Sequence, residues 1–257
     1  MKKVLVTAVL ITITLPVLSV GCSVYHGEQK TLQYEYSNFS NIQVEGAFDV
    51  EIAQSNVHSV EITAGENILK KVKIEQNGST LKIGIEPVSF FWNRGNSRPQ
   101  AKITMPEIVI LDVSGASKVT AKGFSSTKDF KLTLSGASTS DIDIEAYDAS
   151  IALTGASKVS GNFTGHNVRL DIAGASTAQL DGKGNNINLQ ASGASTVDLS
   201  SLASNDVRVD LSGASRAEVL NNGKLDIFLS GASKLQYGGS PEMGTIEVSG
   251  GSTIGHS

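Results

Sequence analysis

The residues of this 257-residue sequence that could do chemistry are a lone cysteine, an aromatic and basic segment, and a spaced set of acids. Cys22 is the only cysteine, so it cannot form a disulfide within the chain. It follows the apolar run 4–20, which begins just after Lys2 and Lys3. A positive start, a short apolar run and a small residue before the cut are typical of an export signal.

The residues that lead up to Cys22 resemble a bacterial lipobox, in which the cysteine is lipidated and the chain is cut before it. Gly21 matches that pattern, whereas Ser19 stands where an aliphatic residue is usual. The resemblance implies a lipoprotein signal peptide over residues 1–21, a lipid-anchored Cys22 and a polar tether over residues 22–35. It places the protein at the cell envelope, in the outer membrane if the cell is Gram-negative, facing the periplasm or the surface. The alternatives are an ordinary cleaved signal and a retained transmembrane anchor.

The second group is an aromatic segment beside two arginines. Phe90, Phe91 and Trp92 are consecutive, and Arg94 and Arg98 follow them. If the segment is exposed, it is a candidate contact patch for a glycan, a membrane surface or a protein. The alternative is that the rings fill the core of a cap. Because consecutive side chains of a strand point to opposite faces, we expect at least one ring to be accessible.

The third group consists of Asp112, Asp171, Asp210 and Glu247, each three residues before a repeated glycine. Enzymes that hydrolyse glycans use two carboxyl groups that flank the scissile bond. Other residue types interrupt this series at the intervening repeats: Thr133, Ala152, Gln190 and Phe228. Neighbouring repeats therefore do not pair the acids, and a polysaccharide-acting enzyme is the less favoured hypothesis.

Metal, cofactor and nucleic-acid partners are not predicted. The four histidines are scattered as His26, His58, His166 and His256, and neither a calcium nonapeptide nor a Walker loop is present. The formal net charge is -4 and 18% of residues are charged. A nucleic-acid binder normally shows a basic stripe instead.

The elements that position these residues follow from an internal repeat. A Gly-Ala-Ser signature, which becomes Gly-Gly-Ser in the last copy, recurs every 18 to 21 residues. Its glycines are Gly115, Gly136, Gly155, Gly174, Gly193, Gly213, Gly231 and Gly250. Such a period is the mark of a repeat architecture.

The residues six, four and two before each glycine are apolar, with Gly244 as the exception, and the positions between them are mostly polar. This alternation predicts a strand with one buried face. Nineteen residues are too few for two strands and a crossover helix, but they suffice for one coil of a three-sided β-helix. The fold class is therefore all-β: a right-handed parallel β-helix (solenoid) of about eight 19-residue coils over residues 108–257.

The serine of each signature and the Lys, Arg or Thr that follows it are predicted to form two outward columns. The serines are Ser117, Ser138, Ser157, Ser176, Ser195, Ser215, Ser233 and Ser252. A serine ladder could be a polar binding strip. The alternative, which we favour, is that the hydroxyls bond one another and the turn backbone. The Lys and Thr column is expected to be a solvated face.

Residues 36–107 lack the signature but contain alternating apolar residues, so we predict a β-rich N-terminal cap or a degenerate part of the β-helix. The run from Gln76 to Ser79 contains Asn77-Gly78 between two such stretches, which predicts a hairpin. A solenoid also needs its open end covered.

Several segments resemble one bacterial family, the head GIN domain of putative auto-transporter adhesins, whose function is unknown. They are the run 41–50, Asn77-Gly78 with the run 81–83, the run 103–106 and the repeated Ser-Gly-Ala-Ser. The resemblance covers about residues 38–257. It implies a β-helical fold and a cell-envelope setting, and it supplies no catalytic residues.

Three hypotheses of function follow. The first is a non-catalytic, adhesin-like binding module anchored to the membrane, with a glycan or protein surface as ligand. The second is a structural or sensory scaffold of the envelope. The third is a polysaccharide-acting enzyme, for which Asp171 is the residue to test.

Overall fold

A computed structural model describes residues 29–86 and 98–257, which form one 20-stranded β-solenoid. The strands of the N-terminal part are β1 (Gln29–Tyr34), β2 (Asn41–Val44), β3 (Asp49–Gln54), β4 (Ser59–Gly65), β5 (Val72–Asn77), β6 (Thr80–Ile85) and β7 (Gln100–Met105). A single-turn helix, α1 (Glu66–Leu69), follows β4. None of the helical structure in the described ranges is long and apolar enough to cross a membrane.

The repeat region continues with thirteen strands. They are β8 (Ile110–Val113), β9 (Lys118–Ser125), β10 (Phe130–Leu134), β11 (Thr139–Glu145), β12 (Ala149–Leu153), β13 (Lys158–Ile172), β14 (Thr177–Ala191), β15 (Thr196–Leu211), β16 (Arg216–Asn221), β17 (Lys224–Leu229), β18 (Lys234–Gly238), β19 (Glu242–Val248) and β20 (Thr253–His256). Each coil has one strand segment before its glycine corner and one after it. In β13, β14 and β15 the later segment of one coil runs on into the earlier segment of the next.

Equivalent residues of successive coils stack in register, as the repeat predicts. Ile151 pairs with Leu132 on one side and with Leu170 on the other, and Leu170 pairs with Leu189. These side chains have no exposed surface. The core is therefore a set of apolar columns that run along the solenoid, and the hydrophobic effect holds each coil against its neighbours.

The N-terminal part contains one more coil and a cover. β2 and β3 flank a corner at Gly46, and they pair in parallel with β8 and β9 of the first repeat coil. On their other side lie β6 and β7, also parallel. Antiparallel strands then close this end: β5 on β6, β4 on β7, and β1 on β4. The hairpin turn between β5 and β6 lies at Gly78, as predicted, with a φ of +57°.

The last part of the expected tether is a strand rather than a free linker. β1 begins at Gln29, inside the range 22–35, and pairs antiparallel with β4 over six residues. Its apolar residue Leu32 faces Ile62 in that pairing, and Thr31 and Thr63 share a hydrogen bond of 2.7 Å. The alternation of these short segments is too brief to distinguish from a polar linker by sequence alone.

The C-terminal end of the solenoid is open. Ile246 and Val248 occupy the inward columns of the final coil, where the repeat predicts buried residues. They are 49% and 46% exposed because they lie in the last coil that the structure describes. The two ends of the molecule therefore differ, since antiparallel strands cover only the N-terminal one.

Candidate functional site

The sequence-predicted contact and anchor residues lie outside the described ranges. These are Cys22 and the aromatic segment with Phe90, Phe91, Trp92 and Arg94. The described chain stops at Glu86, directly after β6, and resumes at Arg98, just before β7. Both strands pair in parallel with β2 and β3 at the N-terminal end of the solenoid.

The repeated glycines form the corners of the coils. Their φ angles run from +69° at Gly250 to +82° at Gly115, a region that disfavours other residues. The N–H of Ala194 donates to the carbonyl oxygen of Gly174 in the preceding coil at 2.8 Å. A Cβ atom on Gly193 would lie 2.5 Å from that same oxygen. Both the backbone angle and the close approach of the coils therefore require glycine.

The serine column is buried, so the prediction that it faces outward was wrong. Seven of the eight serines are at most 1% exposed, and Ser252 of the last coil is half-buried. The Ser176 hydroxyl donates to the carbonyl oxygen of Ala173 at 2.8 Å, and Ser195 does the same to Ser192 at 2.7 Å. The sharp corner leaves Gly and Ala on the outside and turns the serine inward. A polar binding strip made of these hydroxyls is thereby excluded.

The predicted acid column exists, and its acids are spaced as the sequence indicates. Asp171 pairs in register with Gln190, which pairs with Asp210, and Phe228 separates Asp210 from Glu247. Adjacent coils therefore do not bring two of these carboxylates side by side. The Arg169 guanidinium holds Asp171 with bonds of 2.8 and 3.0 Å. Asp112 lies at the other end of the column, where burial and then the charge of Glu45 raise its pKa.

Beside this column lies a groove of about 440 Å³, which we call the polar groove. It runs across five successive coils, on the outer face of β12, β17 and the C-terminal halves of β13, β14 and β15. Two outward columns of side chains line it. The first consists of Asp148, Asn167, Asn186, Asp206 and Lys224, and the second includes Arg169, Asn188, Arg208 and Asp226.

The side chains at the two ends of the polar groove bond to one another. At one end, the Asn167 amide donates to the Asp148 carboxylate at 2.9 Å, and Asn186 donates to Asn167 at 2.8 Å. At the other end, the Lys224 ammonium lies 3.0 Å from Asp226.

Asp226 also accepts the backbone N–H of Thr245 at 2.7 Å, a bond that ties the last coil to the one before it. That hydrogen bond, together with Lys224, lowers the pKa of Asp226. The polar side chains at the ends of the groove thus also link neighbouring coils to one another.

The centre of the polar groove is different, because its cation is stacked rather than paired. The Arg208 guanidinium carbon lies 4.0 Å from the centre of the Phe228 ring. Within the described ranges no carboxylate lies within ion-pairing distance of Arg208. Stacking on the ring holds the guanidinium flat and leaves its N–H groups free to donate.

Asn188 lies next to Arg208 in the same column. Its amide oxygen is buried and lacks a hydrogen-bond partner among the residues that the structure describes. An unpaired buried acceptor costs roughly 1–3 kcal/mol. A ligand donor would remove that cost once a rotation of the Asn188 side chain exposed the oxygen.

Sequence analysis missed this groove although a signal for it was present. Its second column lies five residues before each repeated glycine, and its first column lies seven before. The alternation within one strand indicates only that these polar positions face solvent. Aligning them across coils places Arg169, Asn188 and Arg208 in one row.

Comparison with known proteins identifies the family to which this chain belongs. The sequence profile of one family, described as putative auto-transporter adhesin, head GIN domain, matches residues 38–241. The chain belongs to this family. No curated protein matches its sequence.

Solved structures share the fold of this head GIN domain protein. A putative lipid binding protein from Parabacteroides distasonis ATCC 8503 has a TM-score of 0.83 at 17% identity, covering 90% of this chain and 97% of its own. A putative adhesin from Parabacteroides merdae ATCC 43184 gives the same values. A putative adhesin from Bacteroides fragilis NCTC 9343 has a TM-score of 0.62 at 18% identity, covering 90% and 97%. At these identities the likeness establishes the fold alone.

Proposed function

We propose that this protein is a non-catalytic, adhesin-like binding module that a lipid on Cys22 anchors to the cell envelope. The observation that carries the proposal is the polar groove, in which a rigid scaffold displays free hydrogen-bonding groups on one exposed face. Ladders of backbone hydrogen bonds hold the columns in place, so little conformational entropy is lost when a ligand binds. The family, described by its adhesin head domain, supports the same kind of function.

The spacing of the acids supports binding rather than hydrolysis. A glycosidase needs two carboxyl groups that flank one bond. Here Gln190 stands between Asp171 and Asp210, and Arg169 occupies both oxygens of Asp171. We expect no release of reducing ends from polysaccharides that the protein binds. Reproducible depolymerase activity that disappears in Asp171→Ala would contradict this part of the proposal.

The anchor is proposed from the lipobox-like residues before Cys22. In the native host, Cys22→Ala should abolish lipid attachment and move the protein from the membrane to the soluble fraction, whereas Ser23→Ala should leave it in the membrane. Mass spectrometry of the N-terminal peptide checks the lipid directly. An unmodified Cys22 in wild-type protein, or a membrane-bound Cys22→Ala variant, would contradict the anchor.

A scaffold role inside the envelope is the second candidate, and the orientation of the anchored domain separates the two. Protease treatment of intact cells should cut a surface-exposed domain and spare a periplasmic one. The name of the Parabacteroides distasonis relative also raises a lipid as ligand. An acyl chain in the polar groove would cover the charged and amide groups of its two columns without pairing them, which costs free energy.

The aromatic segment is proposed as a second contact patch. Trp92 is the only tryptophan, so fluorescence excited beyond the tyrosine absorption band reports on it alone. If the ring is exposed, acrylamide should quench it readily in the folded protein. Weak quenching that rises only on unfolding would mean that the rings fill the cap instead.

A further inference from the structure

Four side chains at the centre of the polar groove retain unused hydrogen-bonding capacity. They are Asn186, Asn188, Asp206 and Arg208, two in each column on the adjacent segments of β14 and β15. One oxygen of Asp206 accepts the backbone N–H of Lys224 at 2.8 Å, and its other oxygen is free of partners among the described residues. Arg208 stacks on Phe228 and bonds to no described carboxylate.

The chemistry of these four groups selects a class of ligand. A carboxylate only accepts hydrogen bonds, a guanidinium only donates them, and an amide does both. A ligand that satisfies all of them must donate and accept at closely spaced positions, as neighbouring sugar hydroxyl groups do. A phosphate or sulfate only accepts at neutral pH and would meet the negative charge of Asp206.

The net charge of the whole groove also favours an uncharged ligand. Its lining contains three acids, Asp148, Asp206 and Asp226, and three bases, Arg169, Arg208 and Lys224. The formal charges cancel. A strongly charged ligand would therefore gain little from long-range attraction.

The repeat of the scaffold suits a chain rather than a single sugar. Successive strands of a sheet lie about 4.8 Å apart, so five coils present a track of about 19 Å along the solenoid. That step is close to the length of one pyranose unit in an extended polysaccharide. Consecutive sugars can thus meet equivalent positions of the two columns.

We propose that the polar groove binds a neutral, linear glycan that lies along the solenoid axis. Arg208 donates to one sugar, Asp206 accepts from a hydroxyl of the same sugar, and Asn186 and Asn188 contact the sugar before it. The Phe228 ring fixes Arg208 in advance. This inference rests on the proposed binding function and names its ligand class.

The test is binding of the full-length protein to oligosaccharide arrays. The probes are neutral glucose- and mannose-based ladders of one to six units, with uronic-acid ladders beside them. We expect binding to at least one neutral ladder, with affinity that rises up to about four or five units, the number of coils that the groove crosses.

Arg208→Ala should weaken that binding at least about tenfold, as expected when a charge-assisted hydrogen bond is lost. Arg216→Ala is the matched control, because this exposed arginine of β16 lies outside the polar groove. It should change affinity by less than about threefold. Asp206→Asn keeps an oxygen for the Lys224 N–H and should also weaken binding. Thermal unfolding of each variant verifies that it is folded.

Three results would overturn the inference: no neutral oligosaccharide binds, only uronic-acid ladders bind, or Arg208→Ala and Arg216→Ala behave alike. Binding of the full-length protein to isolated cell envelopes, measured in parallel, separates this inference from the proposed function. Envelope binding without neutral-glycan binding overturns the ligand class and leaves the binding module standing. Loss of both overturns both.

Discussion

At the scale of single residues, the corner glycines are the positions that the fold tolerates least. Gly193 combines a φ of +77° with a close approach to the Gly174 carbonyl oxygen. Two other glycines separate these effects. Gly123 has a φ of +74° with open space around it, and Gly65 has open space and an extended backbone.

We therefore expect a graded series in the free energy of unfolding. Gly65→Ala should be close to neutral, Gly123→Ala should cost about 1–2 kcal/mol from the left-handed backbone, and Gly193→Ala should cost about 3 kcal/mol or more. Chemical denaturation of the three variants measures this. Equal losses at Gly123 and Gly193 would show that the close contact between coils is not what requires glycine.

Asp112 gives a prediction about pH. Its pKa is raised, first by burial and then by Glu45, relative to an ordinary value of 3.8. A carboxyl with a raised folded-state pKa favours folding below that ordinary value, and the contribution is lost as the pH rises through the raised value. Asp112→Asn should therefore raise the thermal midpoint at neutral pH, and the gain should vanish below about pH 3.8.

The matched control for this pH effect is Asp181→Asn, which removes an exposed carboxylate from the same solenoid. Because this carboxylate is exposed, the substitution should change the midpoint at neutral pH by less than Asp112→Asn does. A stabilisation by Asp112→Asn that persists at acid pH would contradict the electrostatic explanation.

At the scale of elements, position in the stack decides what a residue contributes. Ile227 and Ile246 occupy the same inward column on β17 and β19, and they pair with each other. Ile227 has no exposed surface, whereas Ile246 is 49% exposed at the open end. Ile227→Ala should cost about 2–4 kcal/mol of unfolding free energy, and Ile246→Ala should cost less than about 1 kcal/mol.

Amide hydrogen exchange checks the same point without mutation. β19 and β20 should exchange faster than β13 and β14, because each terminal strand has a neighbouring coil on one side only. Equal protection throughout the solenoid, together with a large cost for Ile246→Ala, would indicate that something covers the open end in solution.

The strands also show how far the sequence could be interpreted. The solenoid follows from the period of the glycines and the alternation before them, because each coil repeats the same steric requirements. The inward direction of the serine side chains could not be predicted from this alternation. The alternation holds within a strand and fails at a corner, where Gly and Ala both lie outside. The pairing of β1 with β4 involves distant segments, which no local pattern specifies.

Only some of the contacts in the candidate site could be predicted from the sequence. The partners of each acid across coils could be predicted, because the repeat gives the register. The contacts of the two arginines could not be predicted, although both hold the same place in the repeat. Arg169 bonds Asp171, whereas Arg208 stacks on Phe228. The residue two positions further along the strand is an acid in both coils, so the difference depends on the residues of the adjacent coil, where Phe228 lies beside Arg208.

At the scale of the whole molecule, the protein is a solenoid with one covered end, one open end and a polar groove along one face. The proposed lipid at Cys22 precedes the covered N-terminal end in the chain. An anchor there would leave the groove free to meet a ligand along its length. This geometry differs from a binding site at a tip, because contacts would be spread over several coils.

Hydroxyl-radical footprinting of the full-length protein tests whether ligand contacts fall on the polar groove. Oxidation of each side chain is compared with and without isolated cell envelopes. We expect protection of Arg208 and Lys224, which line the groove, and of Phe228, on which Arg208 stacks, with Ile246 and Val57 unchanged as exposed controls. Protection confined to the open end, the corners or the Phe90–Trp92 segment, with Arg208 and Lys224 unaffected, would contradict this expectation.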